Sequence, residues 1–197
     1  MEIAPGLRER KKSATRQALH EAALRLAAAA GPDGVTVEAI ADAATVSRRT
    51  FSNYFSGKEE ALLYRDQLRM ERLLDLLRER PAAETPWTAL TRTVRELHRE
   101  GGGPDSEWAA QLRLIRGHPT LLAHQVGIHT ALEKDIAAEI AARLPARSRT
   151  GVQARMLAAT FLATLRVATQ SWLEQTSDTP LIDVVERTLR EAAKAFA

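Results

Sequence analysis

GVTVEAIADAATVSRRTFSNYFSGK, residues 34–58, spells two short helices separated by a tight turn. Thr36 is placed to cap the first helix, and Ile40, Ala41 and Ala44 give that helix an apolar side at helical spacing. Thr45 and Val46 break the pattern. Ser47 can cap a second helix, which runs on through Phe51 and Phe55, four residues apart and therefore on one face. Two rings so spaced belong in a core.

The opposite face is polar. Successive residues turn by about 100°, which puts Arg49 and Asn53 nearly opposite the two phenylalanines, with Thr50 and Ser52 flanking them. A guanidinium matches the paired acceptors of guanine, and a carboxamide the donor and acceptor of adenine, so Arg49 and Asn53 are fit to read base edges in a major groove. Arg48, Thr50, Ser52, Tyr54 and Lys58 are better placed for phosphates, and the capping hydroxyls of Thr36 and Ser47 belong to the same candidate DNA surface.

Charge is distributed unevenly. Residues 1–58 carry nine Lys/Arg against six Asp/Glu, whereas the remainder carries nineteen of each, so the whole net charge of +3 sits in the first segment. Arg8, Arg10, Lys11, Lys12 and Arg16 supply much of it, as a basic arm able to follow a phosphate backbone.

Gly34, Thr36, Ile40, Ala41, Val46, Ser47, Thr50, Phe51, Tyr54, Phe55, Lys58, Glu59 and Leu62 together resemble the DNA-binding domain of the tetracycline-repressor (TetR/AcrR) family. Thr45 stands where that family usually has glycine, and Ser52 where an aromatic phosphate contact is frequent. The resemblance implies an all-α protein, with a helix-turn-helix domain over 1–57 and a helical ligand-binding and dimerisation domain over 58–197. It implies a homodimer, usually a repressor, that binds a double-stranded, pseudo-palindromic operator and is released by a small effector; the cytoplasmic location expected for it comes from the missing signal peptide and membrane span.

Composition is compatible with that architecture. With 45% apolar and 27% charged residues the chain is not of the disordered class, and its many Ala, Leu, Arg and Glu residues favour helix. Cysteine is absent, which excludes disulfides and thiol chemistry. The opening residues are charged and lack the apolar stretch of a signal peptide. The longest apolar run, 156–167, is too short to span a bilayer and contains Arg166, so a soluble protein with no membrane partner is expected.

Nine helices are expected. The first runs from about Leu7 to Ala30 with Leu19, Ala22, Ala23, Leu26, Ala27 and Ala30 inward, and 31–34 stop it. The fourth links the domains from Lys58 to about Arg80. A fifth opens at Pro86 and closes at Gly101, Gly102, Gly103 and Pro104; a sixth spans about 106–116. A seventh starts at Pro119 and ends before Pro145, an eighth runs from about Ser148 to Gln175, and a ninth from Pro180 to Phe196.

The eighth helix carries two apolar faces. Val152, Met156, Ala159, Ala163 and Val167 lie on one, and Leu157, Phe161, Leu165, Ala168 and Trp172 on the other. A helix apolar on two sides needs two partners, and the expected ones are its own domain and the same helix of a second subunit. Helix nine is expected to join that isologous dimer interface through Leu181, Val185, Leu189, Ala192 and Phe196.

Trp87, Trp108, Leu112, Ile115, Val126, Phe161, Leu165 and Trp172 could line an apolar cavity, with Gln111, His129 and Thr169 to orient a ligand. Taken singly, each is better explained as core. The run WAAQLRLIRGHPTLLAHQ, residues 108–125, resembles the C-terminal domain of mycofactocin-type regulators, which implies a fatty acyl thioester effector.

Catalytic motifs are missing. His124 and His129 are five apart rather than four, no HExxH or cysteine completes a zinc site, and neither G-x-S-x-G nor a phosphate or dinucleotide loop occurs, so no cofactor or enzyme activity is expected. The competing reading at this point is a helical carrier or adaptor whose helix-turn-helix does not bind DNA.

Overall fold

The computed structural model describes residues 6–101, 106–144, 151–175 and 179–194. Nine α-helices occur among them: α1 (Leu7–Ala30), α2 (Val37–Ala43), α3 (Arg48–Ser52), α4 (Lys58–Glu79), α5 (Pro86–Gly101), α6 (Ser106–Gly117), α7 (Pro119–Arg143), α8 (Val152–Glu174) and α9 (Leu181–Ala193). No strand occurs in the described residues. Gly102, Gly103, Pro104, Pro145, Ser148 and Phe196, expected to end or begin helices, lie outside them.

The chain forms two compact units. One holds the described residues up to Gln67 together with Leu114–Gln125, and the other holds Leu68–Arg113 with the described residues from Val126 onward. The first unit thus continues past Lys58 and takes in the end of α6 and the start of α7. α4, α6 and α7 each contribute residues to both units.

In the first unit, α1 stops because Gly31 adopts φ +73°, a conformation that side-chain-bearing residues avoid, while its N–H still donates to Ala27 O at 2.9 Å. Pro32 then opens a 3-10 turn over Pro32–Gly34 and is itself buried. Leu19, Ala22, Ala23 and Ala27 are buried on α1, whereas Ala30 is exposed, since the helix has left the core by its last turn. His20 is buried as well, at 2% exposure; its Nδ1 lies 2.7 Å from Ala61 O on α4, so a polar residue is satisfied inside an apolar contact.

Thr36 and Ser47 cap as their positions predict. Thr36 Oγ1 accepts from Ala39 N at 3.1 Å and Ser47 Oγ from Thr50 N at 3.0 Å, each satisfying a donor that the helix start would leave open. Phe51 and Phe55 are 1% and 2% exposed, and their rings lead to Tyr64 on α4: centroids are 5.7 Å apart from Phe51 to Phe55 and 5.5 Å from Phe55 to Tyr64, the latter edge-to-face. Burying two such rings fixes α3 on its support, and truncating one would cost about 3–5 kcal/mol.

The second unit has its own core. α8 and α9 pack closely, with Ala154, Leu157, Ala158, Phe161 and Ala168 of α8 buried against a cluster that includes Leu181, Val184, Val185 and Leu189 of α9 and Leu90, Ile136 and Ile140 of α5 and α7. Arg143 ends α7 by donating to the carbonyls of Leu77, Arg80 and Pro81 at 2.7, 3.1 and 2.8 Å, which satisfies the open C-terminus of α4. Glu84, in the α4–α5 connection, accepts from Arg80 and Arg92.

Candidate nucleic-acid interface

The exposed surface of the first unit is built around α3. Arg49, Ser52 and Asn53 are exposed, and Asn53 sits at the C-cap, opposite the buried Phe51. Arg48 is exposed and pairs with Glu38 of α2 at 2.9 Å; a surface pair of this kind holds loosely and can exchange for another anion. Ser52 Oγ donates to Arg48 O at 3.2 Å, and Ser47 Oγ lies 2.9 Å from Thr50 Oγ1, so these hydroxyls are oriented along the helix. The arrangement presents Arg49 and Asn53, chemically able to meet base edges, on a short helix flanked by hydroxyls and a second arginine.

Two basic residues turn out to be structural. Lys58 does not point outward: its Nζ donates to the carbonyls of Pro32 at 3.0 Å, Asp33 at 3.4 Å and Val35 at 3.0 Å. A cation opposes the dipole at a helix start, yet here the ammonium is held by the carbonyls of the turn before α2, and its three donors are used. Arg16 folds inward too, its guanidinium 5.3 Å from the Phe55 ring centre and 5.1 Å from that of Tyr64, with Nη2 donating to Tyr54 O at 3.0 Å.

The rest of the basic arm stays outside. Arg8, Arg10, Lys11 and Lys12 are exposed on the first turns of α1. Arg8, Lys11, Lys12 and Thr15 line a groove of about 640 Å³ whose other wall is Asn53 and half-buried Tyr54. Proximity of α1 to the end of α3 is a tertiary feature that the sequence pattern did not disclose.

The residues expected around a ligand fall into separate groups. Trp108 and Leu112 of α6 and Phe161 of α8 are buried in the core of the second unit, with Trp87, Leu165 and Trp172 packed against it. The Trp108 and Trp172 rings lie 6.2 Å apart at 41°, and Trp172 Nε1 donates to Thr179 O at 3.0 Å. Gln111 is buried and His129 half-buried, while Thr169 Oγ1 donates to Leu165 O of its own helix at 2.8 Å. Ile115 is buried in the first unit instead, and Val126 is 56% exposed, so neither joins the tryptophan cluster. Both positions are apolar at helical spacing, but apolarity does not name the partner.

α8 keeps its second apolar face uncovered. Val152, Met156 and Val167 are 64%, 56% and 46% exposed, and Ala163 between them is exposed too. On α9, Leu181, Val185 and Leu189 are buried within the protomer and Ala192 is half-buried, while Phe196 lies outside the described residues.

Two family models match the chain. One, described as bacterial regulatory proteins, tetR family, covers residues 19–64, and one described as MftR C-terminal domain covers residues 84–197. The HTH-type transcriptional regulator TcmR of Streptomyces glaucescens is 36% identical over 174 residues, which is 85% of this chain and 77% of that protein. Among solved structures, Thermus thermophilus FadR, a TetR-family transcriptional repressor in complex with lauroyl-CoA, aligns with a TM-score of 0.59 at 23% identity over 92% of this chain and 95% of its own. A regulator from Aquifex aeolicus VF5 gives 0.57 at 18% over 93% and 99%. Both structures share the fold.

Proposed function

The chain belongs to the tetR family of bacterial regulatory proteins, with a C-terminal part of the MftR type, and from that premise we propose a ligand-responsive repressor that binds its operator as a homodimer. The observation that carries the DNA-binding site is α3 itself. Phe51 and Phe55 anchor it from within, and Arg49 and Asn53 stand exposed on its far side. Arg48, Thr50, Ser52, Tyr54, Thr36 and Ser47 surround them as backbone contacts. Two such helices related by a two-fold axis select a pseudo-palindromic operator.

The effector is a small apolar molecule of the acyl-thioester class, held in the second unit near Trp108 and Trp172. Supporting this are the match to the MftR domain model and the lauroyl-CoA of the Thermus thermophilus FadR complex, a protein of the same fold. Differential binding of the effector to two conformations shifts their populations, and α4, α6 and α7, which belong to both units, are the route by which occupancy reaches α3. No helix among the described residues is long and apolar enough to cross a membrane, which suits a protein that works on DNA in the cytoplasm.

Operator fragments enriched from random duplexes test this directly. Arg49→Ala and Asn53→Ala should each weaken preferred over mixed-sequence duplex by about 10–100-fold, the worth of a good base contact of ~1–3 kcal/mol. Unchanged selectivity would remove both from the base-reading role.

A further inference from the structure

We propose that the hydroxyl of Thr93, in the middle of α5, is the hydrogen-bond donor that the second unit offers to the carbonyl oxygen of its effector, a role that rests on the acyl-thioester reading of that effector and gives it a named anchor.

Thr93 is completely enclosed, at 0% exposure, and its Oγ1 has no hydrogen-bond partner among the described residues. Other threonines of the same unit find one on their own helix. Thr164, Thr169 and Thr188 each donate to the carbonyl four residues back, to Thr160 O, Leu165 O and Val184 O at 2.7, 2.8 and 2.8 Å. Thr93 is more deeply buried than any of them, yet it leaves the equivalent bond to Ala89 O unmade. A hydroxyl that has lost its water and found no partner is destabilising where it stands, and an acceptor brought in from outside the fold relieves it.

The surroundings of the hydroxyl define the class of that acceptor. Leu90 and Leu97, three residues before and four after, share its face of α5. With Val94 they belong to the apolar cluster that includes Trp108 and Phe161, so the wall is aliphatic and aromatic around a single donor. A fatty acyl thioester has the matching pattern, a long apolar chain that carries one strong acceptor, the carbonyl oxygen, beside a sulfur that accepts weakly. A charged group would be left unpaired against such a wall, and a plain alkyl chain would leave the hydroxyl as it is. α5 is also tied on two sides. Arg95 Nε donates to Glu186 of α9 at 2.7 Å, and Arg72 of α4 donates through Nε and Nη2 to both carboxylate oxygens of Glu100 at 2.9 and 2.6 Å. Packing and these pairs set the donor in place before a ligand arrives, which lessens the ordering that binding requires.

Two probes that differ only at the carbonyl test the assignment by titration into the full-length protein: lauroyl-CoA, and S-dodecyl-CoA, the thioether that keeps chain and carrier and lacks the carbonyl oxygen. Wild type should bind the thioester at least about fivefold more tightly, the equivalent of about 1 kcal/mol for one neutral hydrogen bond. Thr93→Val, which exchanges the hydroxyl for a methyl of similar size, should bind the two probes within about twofold of each other, and Thr93→Ser should restore the preference. Unliganded Thr93→Val should melt no lower than wild type, because it removes an orphaned polar atom from the core. A Thr93→Val protein that keeps the whole preference overturns the proposal, and so does one that melts lower, since its hydroxyl then had a partner inside the fold. Equal binding of both probes by wild type overturns it without any variant and leaves the effector class standing. If wild type binds neither probe, the effector class fails and the anchor fails with it.

Discussion

Gln125 Nε2, on the first turns of α7, donates at 3.1 Å to Oδ2 of Asp66, a carboxylate on α4 that is only 5% exposed. Both belong to the first unit, so the opening of α7 is tied to the helix that supports α3 by a buried polar contact. His118 makes a looser approach nearby, with Nδ1 3.7 Å from Asp33 of the turn before α2.

Removing the donor should be felt. Gln125→Leu removes one hydrogen bond from a buried carboxylate, and a hydrogen bond to a charged group is worth about 1.5–3 kcal/mol. Gln125→Glu should be worse, because two carboxylates would then meet where one already lacks water. Urea unfolding followed by circular dichroism, with amide exchange on α4, measures the loss. Equal stability of all three proteins would show that this contact does not hold α7 to the first unit.

Thr45 occupies the turn between α2 and α3 at φ +56°, the left-handed region that a β-branched residue enters at a cost. Its place in the chain requires that conformation, since Thr45 N donates to Asp42 O and Val46 N to Ala41 O at 3.0 and 2.9 Å. Relief of about 1–2 kcal/mol is offset by the extra freedom of unfolded glycine, about 0.5–1. Thr45→Gly should therefore gain up to about 1 kcal/mol, and Thr45→Asn a similar amount. Thermal melts should rise by a few degrees for both; a fall for both would mean that the turn carries no strain.

Much of this unit was legible in the sequence because its signals are local. Thr36 and Ser47 cap where they stand before apolar periodicity, Phe51 and Phe55 share a face by spacing, and Gly31 stops a helix by its own conformational freedom. The departures all concern partners distant in the chain. Lys58 looked like an outward cation, since nothing in the sequence shows that three carbonyls of the 32–35 turn lie within reach of its ammonium. The α9 stripe of Leu181, Val185 and Leu189 is correctly apolar, but periodicity cannot say whether α8 of the same chain or another copy covers it. For the same reason Ile115 went to the first unit and Val126 to the surface, and His20 was hidden among the apolar residues of α1.

Glu84 gives the second unit an acid-sensitive joint. The hydrogen bond from Arg80 first, with Arg92 assisting, holds its carboxyl at about 2, against an ordinary 4.5. A folded pKa below the unfolded one means that the stabilisation is complete above pH 4.5 and disappears as pH falls toward 2. Glu84→Gln should thus be less stable than wild type at pH 7, with the gap closing between pH 4.5 and 2. Melting temperatures of both proteins over that range check the sign; a gap that stays constant would mean the pair contributes nothing through its charge.

The uncovered face of α8 makes the strongest prediction about assembly. Val152, Met156 and Val167, with Ala159 and Ala163 between them, recur at spacings of three and four, so they form one strip along the helix, and three of them are about half or more exposed. An apolar strip this long on a lone protomer is unfavourable, and a two-fold axis across it buries each side chain twice, at about 1.5–3 kcal/mol for each fully covered Val or Met. Met156→Asp would place two carboxylates near one another across the axis and remove two thioether contacts. The dimer dissociation constant should rise at least about 100-fold, the equivalent of roughly 3 kcal/mol, leaving a folded monomer at micromolar concentration by light scattering. Operator affinity should fall with it, because each monomer then holds a single half-site. Leu7→Asp, a change at an equally exposed apolar residue on α1, should leave the dimer intact; a Met156→Asp protein that remains dimeric would move the interface off this face of α8.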